Sequence, residues 1–125
     1  MGKPSEAELR KLRRGQVVWV DFRGSVGAEQ GKTRPAVVVS SDRLNNVLRS
    51  IIVIPISGLK DKKPFPHEVV IPSGEGGLTE ESVAQPIQIR TIDRGERVVG
   101  ILGELKSDTM NAISSRLSDV LGGLF

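Results

Sequence analysis

The 125-residue chain contains no cysteine, no tyrosine, one tryptophan, three phenylalanines and one histidine. Without cysteine there is no disulfide, no thiolate nucleophile and no Cys-based zinc site. The lone His67 cannot supply a histidine pair, and the acidic residues show no metal-ligand spacing. No metal and no other cofactor is therefore expected. The glycines of Gly74-Glu75-Gly76-Gly77 are not followed by Lys-Ser/Thr, so there is no P-loop, and no nucleophile elbow occurs either. A Ser-His-Asp triad would have to use His67, and nothing in the pattern places a serine beside it. Long apolar runs are missing too. The longest, residues 51–56, is interrupted by Pro55 and falls far short of the ~20 residues that span a bilayer. The leading segment is too charged for a signal peptide, so a cytoplasmic protein without membrane association is expected.

What is present starts with charge. The net charge is +3. Residues 1–14 hold five bases and two acids, which accounts for the whole excess, and the remainder is balanced at 13 of each sign. The basic arm 1–14 is thus distinct from the body 15–125. Ser5 and Glu8 are spaced as a capping box, which offers a short helix with Leu9 and Leu12 on one side; a solvated tail is the alternative.

Strand patterns dominate the body. Residues 16–22, 36–40, 50–56, 67–71, 82–93 and 97–104 are rich in Val and Ile with few polar interruptions. Asp93-Arg94-Gly95-Glu96 reads as a tight hairpin turn, and Pro86 as a bulge, bend or edge early in its run. Residues 42–47 allow one short helical turn. In the tail, Ser107 is placed to cap a helix over 108–121, whose Met110, Ile113, Leu117, Val120 and Leu121 recur at helical spacing before Gly122-Gly123. The expected fold is mainly β with a C-terminal helix, a small, strongly curved barrel. Trp19 and Phe22, both in a strand, are expected in its core.

One loop is richer than a turn requires. Glu29-Gln30-Gly31-Lys32-Thr33-Arg34-Pro35 joins two apolar runs and carries an acid, an amide, a hydroxyl and two bases. Gly31 gives backbone freedom, and Pro35 pushes Arg34 toward an extended conformation where the loop re-enters a strand. A held guanidinium suits phosphate, because its planar fork matches phosphate oxygens. A surface Glu–Arg pair tying down the loop is the alternative. With metal and histidine-pair chemistry set aside, one reaction suits Arg, Ser/Thr and Glu: attack of an RNA 2′-hydroxyl on its own 3′-phosphate. There the nucleophile is tethered by the substrate itself, and an arginine can neutralise the charge that grows on phosphorus. Ser57, ending the third apolar run before Gly58, offers a hydroxyl for the phosphate or a plain strand-end cap.

Several ordered motifs resemble the MazF/PemK (Kid) family of toxins. Gly15-Gln16-Val17-Val18-Trp19-Val20-Asp21 is similar to the family opening. Gly27-Ala28-Glu29-Gln30-Gly31-Lys32-Thr33-Arg34-Pro35-Ala36-Val37-Val38-Val39 follows, with Ala28 where the family usually has Ser. Val53-Ile54-Pro55-Ile56-Ser57, Gln88-Ile89-Arg90-Thr91-Ile92-Asp93 and Gly100–Leu102 complete the set over about residues 15–121. The resemblance implies an SH3-like barrel of the CcdB/MazF type that forms a homodimer. It implies a sequence-specific, metal-independent endoribonuclease on single-stranded RNA, leaving 2′,3′-cyclic phosphate and 5′-hydroxyl ends. It also implies a cognate antitoxin whose acidic C-terminal segment covers the RNA groove. By motif position the catalytic arginine falls on Arg34, the catalytic hydroxyl on Ser57 and the loop acid on Glu29. Here Ser57-Gly58 replaces the family's common Thr-led pair, which keeps the hydroxyl and loses a β-branched rotamer lock.

For RNA contact, Lys32, Lys60, Lys62 and Lys63 are candidates for phosphate, and Phe65, between two prolines in a basic loop, for base stacking. Gln30, Thr33, His67 and Gln88 are the further RNA-binding candidates. Two other readings stand beside the nuclease: a CcdB-like gyrase poison and a noncatalytic SH3-like RNA-binding module.

Overall fold

The computed structural model describes residues 3–23 and 32–123. Along the chain come α1 (Glu6–Arg10), β1 (Gln16–Asp21), β2 (Thr33–Val38), α2 (Asp42–Asn45), β3 (Ser50–Gly58), β4 (Val69–Ile71), β5 (Ser82–Ala84), β6 (Arg90–Asp93), α3 (Arg94–Arg97), β7 (Val98–Glu104) and α4 (Ser107–Val120). Among the described residues the seven strands form one antiparallel sheet in the order β4-β5-β3-β2-β1-β7, and β6 pairs with the first half of β3. The path runs open from β4 to β7, so the barrel expected from the sequence is not closed by strand pairing.

The near-continuous apolar runs follow from burial on both faces. Val17, Val37, Ile54, Ile56, Ile71 and Ala84 pack on one face under Met110 and Ile113 of α4. Val18, Val20, Ala36, Val38, Ile51 and Val53 pack on the other with Phe22, Ile92 and Val98. Leu9 and Leu12 join this second cluster, so the basic arm is anchored on the body. The capping box is made: Ser5 Oγ accepts from the Glu8 amide, and Glu8 Oε1 accepts from the Ser5 amide at 2.8 Å.

Four local expectations need correction. Asp93–Glu96 is not a hairpin turn, because β6 pairs with β3 while β7 pairs with β1. Asp93 instead caps α3, accepting from the Glu96 amide at 2.9 Å. Residues 82–93 are not one strand: Pro86 opens a 3-10 turn, Pro86–Gln88, between β5 and β6. Ser107 lies inside α4, and Lys106 holds the cap position without a side-chain bond. Trp19 is 37% exposed rather than core. It shares the face of Val17 but stands opposite Pro35 and Gly100, and its ring lines an open hollow with Ile56, Leu78 and Leu102. Phe22 is buried as expected.

The loop after β4 reaches back to the sheet at Glu75–Gly77. Gly76 and Gly77 have φ of 67° and 79°, a region costly for side-chain-bearing residues. A Cβ on Gly77 would stand 2.4 Å from the Leu102 carbonyl oxygen, so only glycine lets this turn lie on β7.

Candidate active site

Strand register brings the chemistry together. Ala36 pairs with Pro55, and the same register carried on sets Arg34 of β2 opposite Ser57 of β3. On the other side of β3, Val83 pairs with Ser57. The Gln85 amide continues that ladder by donating to the Pro55 carbonyl at 3.0 Å. Side chains two apart share a face of a strand, so Gln85 becomes a diagonal neighbour of Ser57. Two strand residues and one just beyond the end of β5 therefore converge.

They are joined by hydrogen bonds. Arg34 Nη2 donates to Ser57 Oγ and, at 2.8 Å, to Gln85 Oε1. Ser57 Oγ donates to the same Gln85 oxygen at 3.0 Å. The Gln85 amide nitrogen then faces Glu68, with Nε2 to Oε2 at 3.4 Å. Sequence reasoning found Arg34 and Ser57 but neither Gln85 nor Glu68. Their only signal was polarity within apolar runs, which is too common to select them.

Ser57 and Gly58 lie where three hollows meet. One, of about 430 Å³, is lined by Lys32, Arg34, Pro35, Ile56, Lys60 and Lys62, with no acidic side chain among the described residues of its wall. A second, of about 260 Å³, holds Lys62, Lys63, Phe65, Glu68 and Gln85. The third, also about 260 Å³, runs from Ser57 past Lys60 to Trp19, Glu80 and Leu102. A Cβ on Gly58 would stand 2.6 Å from Glu80 Oε1, the tip of an exposed side chain that is free to move aside. Lys60 and Asp61 take positive φ values of 50° and 63°, which turn the basic loop sharply after β3.

Of the sequence-selected residues, Arg34, Ser57, Lys32, Lys60, Lys62, Lys63 and Phe65 all line these hollows. Phe65 is 66% exposed and its ring stacks on His67, centroids 5.9 Å apart. Thr33 is exposed at the start of β2, paired with Asp21. Gln88 sits half-buried on the Pro86–Gln88 turn and lines none of the three hollows. Glu29 and Gln30 lie outside the described residues.

Away from the cleft, Arg23 donates to the Asp21 carboxylate at 2.7 Å and holds its pKa down at about 2. Arg49, helped by the α3 amides, holds the Asp93 carboxyl below its usual range. Among the described residues no group of three or more His, Asp or Glu is placed to hold a metal ion. No helix there is long and apolar enough to cross a membrane.

Residues 13–121 match the family model of the PemK-like, MazF-like toxin of type II toxin-antitoxin systems. The chain belongs to this toxin family. A crystal structure of MazF from Deinococcus radiodurans is 29% identical to this PemK/MazF-like toxin, with a TM-score of 0.76 over 89% of this chain and 96% of that one. A mycobacterial endoribonuclease in complex with its cognate antitoxin is 23% identical, TM-score 0.74, covering 91% and 98%. Another mycobacterial endoribonuclease structure gives 23% identity and a TM-score of 0.72, covering 91% and 94%.

Proposed function

We propose that this toxin is a metal-independent, sequence-specific endoribonuclease that cuts single-stranded RNA by attack of the 2′-hydroxyl on the adjacent phosphorus. The products carry a 2′,3′-cyclic phosphate and a 5′-hydroxyl. The observation that supports it most is the Arg34–Ser57 pair at the foot of a hollow walled by three further cations, Lys32, Lys60 and Lys62. A phosphodiester seated there has Arg34 to neutralise the charge that develops on its non-bridging oxygens and Ser57 to orient one of them. The 2′-oxygen bonds to phosphorus, the bond to the 5′-oxygen breaks, and protons leave the first and reach the second. Glu29 is the candidate base for the first proton or an orienter of Arg34. Arginine stays protonated in water, so Arg34 is not the base: its role is electrostatic, with proton donation to the leaving 5′-oxygen as its second candidate role.

Lys32, Lys60, Lys62 and Lys63 guide the RNA backbone, and Phe65 offers its ring to a base. Thr33 and His67 serve as secondary RNA contacts, and Gln30, outside the described residues, is assigned the same role. The partner is an antitoxin whose acidic C-terminal segment lies along the cationic cleft. That reading draws on the solved endoribonuclease–antitoxin complex of a relative. Homodimerisation and a cytoplasmic location complete the proposal.

The test is incubation of labelled single-stranded RNA with the purified toxin in EDTA, followed by analysis of the product ends. Cleavage leaving cyclic phosphate supports the reading, and sequencing of the new 5′ ends gives the recognition word. RNA that stays intact sinks it, and gyrase inhibition in the same preparation would favour a poison instead.

A further inference from the structure

Gln85 and Glu68 have no part in the reaction as proposed, yet they are the side chains that tie the cleft together. Gln85 Oε1 receives two donors, Arg34 Nη2 at 2.8 Å and Ser57 Oγ at 3.0 Å. These are the donors that a non-bridging phosphate oxygen would take. With its oxygen committed, the carboxamide must present its nitrogen outward, where Glu68 Oε2 accepts it at 3.4 Å. The other Glu68 oxygen accepts from the Phe65 amide at 3.0 Å, and the Glu68 amide donates back to the Phe65 carbonyl at 3.0 Å. Glu68 thus closes the turn that carries the exposed Phe65 ring, stacked on His67. An unbroken path of polar contacts runs from Arg34 and Ser57 through Gln85 and Glu68 to Phe65.

We propose that Gln85 is a positioning residue that couples phosphate capture at Arg34 and Ser57 to the placement of the Phe65 loop through Glu68. The physical basis is competition for donors. A phosphate oxygen carries negative charge and makes the stronger, charge-assisted bonds, so it displaces the neutral amide oxygen from Arg34 and Ser57. The released carboxamide keeps Glu68 as its partner and moves toward it, which shifts the turn that Glu68 closes. A base reaching Phe65 acts back along the same links, because coupling between two sites is reciprocal. Loop contacts and phosphate alignment are thereby linked, and reading of the RNA sequence bears on the rate of the chemical step.

This inference rests on the nuclease reading for its biological meaning, but its test does not require cleavage. Inorganic phosphate is titrated into the toxin while the backbone amide signals of Ser57 and Phe65 are followed by NMR. In the unmodified protein both signals are expected to move with one apparent Kd. In Glu68→Gln, which weakens the hold on the Phe65 amide, and in Gln85→Leu, which removes the link, Ser57 should still respond and Phe65 should not. A silent Ser57, a silent Phe65 in the unmodified protein, or an unchanged Phe65 response in both variants overturns the proposal. A parallel RNA assay separates this from failure of the nuclease reading. If RNA is cleaved, Gln85→Leu should lower kcat by about 10-fold or more, the scale expected when a reacting group is loosened in its site. It should also flatten the preference between the best-cut RNA and single-base variants. A uniform loss across all RNAs would instead mark a merely structural role and count against the coupling.

Discussion

Arg34 and Ser57 touch across neighbouring strands, the guanidinium donating to the hydroxyl, and both donate to one amide oxygen of Gln85. The two donors sit on paired strands and are held by one acceptor just beyond β5, and groups carried on strands are placed more precisely than groups on loops.

Arg34→Ala should abolish detectable cleavage or reduce it by about 10²–10³-fold, the usual cost of removing a donor to a developing oxyanion. The fold should persist, because the guanidinium is only half-buried. RNA cleavage alongside circular dichroism and thermal melting checks both halves. Near-normal cleavage by a folded variant removes Arg34 from the mechanism.

Ser57→Ala should slow cleavage, while Ser57→Thr should retain it, since threonine keeps the hydroxyl and adds a β-branch that restricts its rotamer. Equal activity in the two variants would show that the hydroxyl is not used.

Lys32, Lys60 and Lys62 line the cationic hollow with Arg34. Each one that neutralises a phosphate should lower the slope of log affinity against log salt by about 0.7 on replacement with alanine, the value for single strands. Binding of uncleavable 2′-O-methyl RNA across a salt series measures this. An unchanged slope for all three variants would leave these lysines as solvated surface.

Leu12→Ala should destabilise the protein by about 2–5 kcal/mol, the range for a large-to-small change in a core. Leu12 is 1% exposed and packs in the same cluster as β1. A melting temperature equal to that of the parent would show that the arm contributes nothing to the core.

Acid should destabilise the toxin over a defined window. Arg23 holds Asp21 at about 2, down from 3.8, and Arg49 lowers Asp93. A depressed folded-state value means that the stabilisation is present above the unfolded pKa and is lost as pH falls through the folded one. The loss attributable to Asp21 therefore lies between the two values, about 3.8 and about 2. Asp21→Asn should flatten the dependence of melting temperature on pH in that region, and Asp93→Asn should flatten it below the usual carboxylate range. Curves parallel to the parent's would contradict the assignment.

Much of this was open to reading from residue order. Val and Ile runs announced the strands, the spacing of Met110 and Ile113 announced α4, and Ser5 with Glu8 offered the capped arm as one of two readings, of which the structure takes the helix. The hairpin expected at Asp93–Glu96 failed because local turn residues say nothing about which strands pair. β6 and β7 take different partners, and Asp93 is used as a helix cap instead. Trp19 was misread because alternation assigns a face, not the extent of the cover over that face.

The sequence by itself determined most of the strands and α4, through side-chain period and backbone restriction, which act locally. It offered Arg34 and Ser57 as site candidates, and the resemblance to family motifs, rather than local chemistry, set them above a surface ion pair and a strand-end cap. Only the tertiary structure decided that Gln85 and Glu68 belong with them. Gln85 lies 28 residues from Ser57 and 51 from Arg34 along the chain. It reaches them because antiparallel register makes it a diagonal neighbour, and register is fixed by packing across the whole sheet.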